Sequence, residues 1–145
     1  KNKNPTTQNT QRSKQIQLSN KTSECNRLFE FLANNLQQLP VTKEFRHDLK
    51  LGAEELLANI IKHGYDQHSD EKINIELAVD KNSVRLTFTD SARAFNPLER
   101  NNPEILNDLS EGGMGIMLVK SLTDEQSYIR DNDLNVFTVT KNYNT

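Results

Sequence analysis

KINIELAVDKNSVRLTFTD, residues Lys72 to Asp90, decides the fold. Apolar and polar residues alternate up to Asp80, break at Lys81-Asn82, and alternate again from Ser83. A strand repeats its side-chain direction every second residue, so this is the pattern of a half-buried strand. Two such runs around a short polar turn predict an antiparallel hairpin.

Working outward, the segments before the hairpin change period. Leu28, Phe31, Leu32 and Leu36 recur at helical spacing in SECNRLFEFLANNLQQL, with Ser23 as a candidate cap and Pro40 as a stop. Thr42 is placed to cap a second helix that runs to Gly64, with Phe45, Leu49, Leu56, Leu57, Ile60 and Ile61 as its apolar stripe. QIQLSN, from Gln15, reads as a short edge strand. After the hairpin come a loop from Ser91 to Gly113, a short apolar helix in MGIMLVKSLTD, and a second hairpin turning at DND. Helices and antiparallel strands segregated in this way predict an α+β two-layer sandwich, a mixed and mostly antiparallel sheet covered on one face by helices.

The 145 residues make one ordinary domain. Residues 1–14, KNKNPTTQNTQRSK, carry no large apolar side chain and read as a disordered leader, leaving 15–145 as the folded unit. A formal net charge of −2 gives no broad attraction to nucleic acid or anionic lipid. No apolar run resembles a secretory signal or a membrane span, so a cytoplasmic protein is expected. The single cysteine, Cys25, excludes an internal disulfide and reads as a buried helix residue.

Three constellations carry chemistry. Glu55, Asn59 and His63 are spaced four and four on the second helix, each step drifting only about 40° around it. They form a polar row at the border of the apolar stripe, where a helix can wall a cleft. An asparagine oxygen is a hard neutral ligand that suits magnesium, and a glutamate one turn away can take a proton from an attacking hydroxyl. The plain alternative is a solvated helix edge. Asp90 ends an apolar strand and is placed either to accept a hydrogen bond from an exocyclic amine or simply to start a turn. Gly112, Gly113 and Gly115 precede or open a helix, where bare backbone and the helix dipole favour phosphate. The spacing is not that of a P-loop.

Taken together, E-x-x-x-N-x-x-x-H-x-Y (Glu55, Asn59, His63, Tyr65), D-x-x-x-x-F-N-P (Asp90, Phe95, Asn96, Pro97), GGMGIMLVKSLTDE and NVFTVTK resemble the serine-protein kinases that act as bacterial anti-sigma factors. Those kinases belong to the Bergerat-fold (GHKL) ATPases, alongside histidine kinases and gyrase B. The resemblance covers nearly all of the chain after Gln15. It implies ATP and Mg2+ as cofactors. Glu55 would be the general base toward a substrate serine, and Asn59 the metal ligand. Asp90 would receive the adenine amine with support from Thr138, Gly113 and Gly115 would lie against phosphate, and Ser91 to Glu111 would form a lid. Where the pattern has glycine two residues after the Asp, this chain has Ala92, a change that costs little at negative φ and more at positive φ. Arg93, Arg100 and Lys120 read as solvated.

The function so implied is an ATP-dependent protein serine kinase acting as an anti-sigma regulatory factor. It would phosphorylate a STAS-domain antagonist and sequester a sigma factor. The alternative is a non-catalytic nucleotide-binding or partner-sequestering module. The family also forms homodimers.

Overall fold

The computed structural model describes residues 11–64, 70–96, 98 and 113–143. Strand β1 (Gln11–Ser19) leads through a 3-10 turn (Thr22–Glu24) into helices α1 (Cys25–Leu36) and α2 (Lys43–Gly64). Strands β2 (Lys72–Asp80) and β3 (Ser83–Asp90), helix α3 (Gly113–Leu122), and strands β4 (Glu125–Asp131) and β5 (Leu134–Asn142) complete the order. The five strands form one sheet, β1-β2-β3-β5-β4. Every pairing between them is antiparallel, which corrects the mixed sheet expected from sequence.

The sequence signals act through identifiable bonds. The Thr42 hydroxyl accepts the Phe45 N–H at 2.9 Å, so the expected cap of α2 is made. The β2–β3 turn is closed by Asp80, whose Oδ1 accepts the N–H groups of Asn82 (2.7 Å) and Ser83 (2.9 Å). The β4–β5 turn falls at Asn132 and Asp133, both with positive φ (52° and 68°), a conformation these residue types tolerate. Ser23 does not cap α1. It lies inside the 3-10 turn, and the residue before α1, Glu24, instead turns its carboxylate back to accept the Ser19 N–H at 2.8 Å.

β1 begins at Gln11, so residues 11–14 belong to the sheet and not to a leader. The reason is that ladder pairing uses backbone groups and needs no apolar side chain: Arg12 pairs with Val79, Ser13 with Ala78 and Lys14 with Leu77, and the Ser13 hydroxyl donates to Glu76 at 2.6 Å. The first ten residues lie outside the described part.

Register defines rows of side chains across the helix-facing side of the sheet. One row runs Ile16, Ile75, Phe88, Phe137, Tyr128; the row beside it runs Leu18, Ile73, Asp90, Asn135, Arg130. Phe88, Phe137, Ile73, Ile75 and Leu18 are all buried, and they pack with Leu28, Leu32 and Leu36 of α1, Leu49, Leu56, Leu57 and Ile60 of α2, and Ile116 and Val119 of α3 into one core. Ile61 and Cys25 are half-buried at its margin.

Candidate functional site

The second half of α2 supplies the first wall. Asn59 is buried, and its Nδ2 donates to the Glu55 carbonyl at 3.0 Å. Its Oδ1 is also buried and has no hydrogen-bond partner among the described residues. A buried carbonyl oxygen left unpaired costs on the order of 1–3 kcal/mol, so an oxygen in this state invites a ligand. The Glu55 carboxyl is held above its ordinary value of 4.5, first by burial and then by the neighbouring Glu54. Among the described residues no cluster of three or more His, Cys, Asp or Glu surrounds a metal position. A divalent cation held here would draw on Asn59 and on oxygens from outside the chain. That donor set fits magnesium, which takes few protein ligands and keeps waters or phosphate oxygens.

The second wall is the end of β3. Asp90 is buried, and its Oδ1 accepts the Ala92 N–H and the Asn135 Nδ2, both at 3.0 Å. Its other carboxylate oxygen takes no hydrogen bond from a described residue. Ala92 is buried, and the only positive φ values among described non-glycine residues are at Asn132 and Asp133, so alanine is accommodated where the pattern has glycine.

The chain leaving β3 is fastened to the end of α2, which joins the two walls. Arg93 donates from Nε (3.3 Å) and Nη2 (2.9 Å) of its guanidinium to the His63 carbonyl, placing positive charge at a helix C-terminus. Phe95 stacks on His63 with ring centroids 5.2 Å apart. A Cβ added at Gly64 would lie 3.1 Å from the Ala92 Cβ, so glycine permits this close approach. His63, whose role sequence left open, therefore acts as a packing platform. Arg93 is exposed, as expected from sequence, while Lys120 is half-buried and its ammonium donates to the Leu98 carbonyl at 3.0 Å. Tyr65, Pro97, Arg100, Gly112 and most of the Ser91–Glu111 segment lie outside the described residues.

α3 packs on α2, with Leu122 and Thr123 facing Gly52, and it opens with Gly113 and Gly115 in its first turn. The structure thus brings Glu55 and Asn59 together, ties Asp90 to the same helix, and sets Gly113 and Gly115 at a helix start. It does not bring Thr138 to them. Thr138 pairs with Thr87 and Ser127, three residues along from the Asp90 row and so an odd number, which puts its hydroxyl on the opposite face of the sheet. The expected partnership of Thr138 with Asp90 is corrected: the residue across from Asp90 is Asn135. The signal was present in NVFTVTK, where the apolar Phe137 and Val139 mark the inward positions and Thr138 falls between them.

The fold is a two-layer sandwich, with helices on one face of an antiparallel sheet. The comparisons agree. The sequence model of the histidine kinase-like ATPase domain family matches residues 18–141, and the chain belongs to that family. It is similar to the serine/threonine-protein kinase BtrW of Bordetella bronchiseptica, 30% identical over 98 residues, which span 66% of this chain and 69% of that protein. It is also similar to an anti-sigma F factor of Bacillus velezensis, 26% identical over 97 residues, 65% of this chain and 66% of that one. Against the serine-protein kinases RsbW of Staphylococcus aureus, the chain spans about three fifths of the relative's length (61%). Among solved structures, the RsbU and RsbW domains of a Mycobacterium tuberculosis protein superpose with a TM-score of 0.61 over 90% of this chain and 32% of that one; at 16% identity this shows the fold alone. No helix among the described residues is long and apolar enough to cross a membrane.

Proposed function

We propose that this chain is a protein serine kinase that uses ATP and magnesium and regulates a sigma factor by phosphorylating a STAS-type antagonist. The observation that carries the reading is the buried, unpartnered Asn59 Oδ1 one turn from the Glu55 carboxylate. Magnesium-bound ATP supplies the transferable phosphoryl group and the charge neutralisation that such a transfer needs. Asn59 offers its free oxygen to the cation. Glu55 accepts the proton of the incoming serine hydroxyl, and its half-buried setting, which raises its pKa, makes it a stronger base than an exposed glutamate. Asp90 turns its unengaged oxygen to the exocyclic amine of the base. The first N–H groups of α3, freed of side-chain bulk at Gly113 and Gly115, favour phosphate.

A second reading, a partner-sequestering module without turnover, draws on a groove of about 460 Å³ between α1 and α2. Its floor includes Phe29, Ala33 and Leu36, and its rim carries Lys43, Arg46 and Lys50 against the single acid Glu30. That chemistry fits an acidic amphipathic segment of a partner protein. One experiment separates the readings: the protein mixed with labelled ATP, magnesium and candidate STAS partners. Label on a partner serine, absent with Glu55→Ala, supports the kinase. ATP binding with no transfer to any candidate supports the module.

A further inference from the structure

Asn135 is 2% exposed and sits across the ladder from Asp90. Its Nδ2 donates to Asp90 Oδ1 at 3.0 Å, to the Arg93 carbonyl at 2.9 Å and, more weakly, to the Ala92 carbonyl at 3.3 Å. Its Oδ1 accepts from the Tyr128 hydroxyl and from the Arg130 guanidinium at 3.1 Å. Arg130 also donates to the Ala92 carbonyl at 2.8 Å. The amide can sit only one way round. Flipped, its oxygen would face the Asp90 carboxylate and its NH2 would face a guanidinium and a hydroxyl already aimed as donors.

The network has a direction. The donors Tyr128 and Arg130 fix the Asn135 oxygen, Asn135 fixes one oxygen of Asp90, and the Ala92 N–H adds a second bond to that same oxygen. The carboxylate is thereby held in one rotamer with its other oxygen left over. A buried aspartate held by fewer bonds could turn that oxygen toward local N–H groups, as Asp80 does at the other end of the hairpin. Asn135 has no donor or acceptor left for a ligand, so it acts through Asp90.

We propose that Asn135, backed by Tyr128 and Arg130, is a positioning residue for base recognition: it holds Asp90 so that its second oxygen selects purines bearing an exocyclic amine over those bearing an oxo group. The inference rests on the nucleotide-binding reading above. It makes the outer hairpin β4–β5 part of the specificity apparatus.

The test compares ATP with inosine triphosphate, which lacks the amine, by calorimetry on the unaltered protein, Asn135→Ala and Tyr128→Phe. Asn135→Ala should weaken ATP about tenfold, the value of one well-placed hydrogen bond, while inosine triphosphate binding stays the same. The preference between the two therefore collapses. Tyr128→Phe, which removes only a hydroxyl, should show the same change in smaller degree and guards against a folding failure in the alanine variant. Parallel weakening of both nucleotides in both variants would mean Asn135 merely supports the fold and overturns the inference. So would an unchanged preference. If the unaltered protein binds neither nucleotide, the nucleotide reading itself fails, and this inference with it.

Discussion

Two neighbouring rows of the sheet lie on the same helix-facing side and do different things. The central row, Ile16–Ile75–Phe88–Phe137–Tyr128, is apolar except for the tyrosine hydroxyl at its rim. The end row, Leu18–Ile73–Asp90–Asn135–Arg130, starts equally apolar and turns polar at β3. Burying a carboxylate and an amide costs free energy unless each finds partners, and here both find them within the row and the chain leaving it. The central row holds the domain together; the end row carries the buried polar groups on which the proposed base recognition rests. The difference teaches that a buried polar residue on an otherwise apolar face marks a site more sharply than any exposed charge.

Substitutions can break or sharpen that contrast. The largest effect is expected at Glu55: alanine there should lower phosphoryl transfer by roughly a hundredfold to ten-thousandfold while leaving ATP affinity within about twofold. A radiolabel transfer assay beside calorimetry reads both. Phe88→Ala, in the central row, should do the reverse. It removes a fully buried ring, lowers stability by about 3–5 kcal/mol in chemical denaturation, and reduces activity only by unfolding the protein.

The pH dependence should follow from Glu55. Its folded value is raised, so transfer should fall away in acid at a pH above 4.5, and Glu54→Gln should move that fall to lower pH, by less than burial contributes. The sign for stability is opposite: because the folded value exceeds the unfolded one, this group's contribution is present below 4.5 and lost as pH rises through its folded value. Glu55→Gln should therefore be inactive yet slightly more resistant to urea near neutrality.

Thr138→Val tests the face assignment. The hydroxyl lies on the far side of the sheet from Asp90, so ATP affinity should change by less than about twofold. A small gain in stability is expected at Gly52, inside α2, where an added Cβ meets Thr123 Cγ2 at a comfortable 3.7 Å. Gly52→Ala should raise stability by about 0.5–1 kcal/mol through helix propensity alone, measured by thermal melting.

Much of this was legible in the sequence because it rests on periodicity. β2 and β3 begin and end where the alternation in Lys72–Asp90 does, α2 runs from the Thr42 cap to Gly64, and the second hairpin turns at Asn132-Asp133. What was not legible depends on register between distant segments. Nothing local in NVFTVTK says that Asn135 stands across from Asp90, forty-five positions away. The first four residues of β1 are not legible because they carry no apolar side chain and pair mainly through backbone. The bonds of Arg93 and Lys120 are not legible because their acceptors are carbonyls, which a sequence does not display.

The central claim is that the buried Asn59 oxygen awaits a cation held between this helix and a bound nucleotide. The direct measurement is titration of ATP by calorimetry, with and without magnesium, into the unaltered protein and Asn59→Ala. The account predicts that magnesium tightens binding to the unaltered protein by tenfold or more, on the order of one metal–ligand contact in a buried site, and leaves the variant indifferent to the ion. Equal affinity with and without magnesium in the unaltered protein, or an undiminished magnesium effect in the variant, would contradict it.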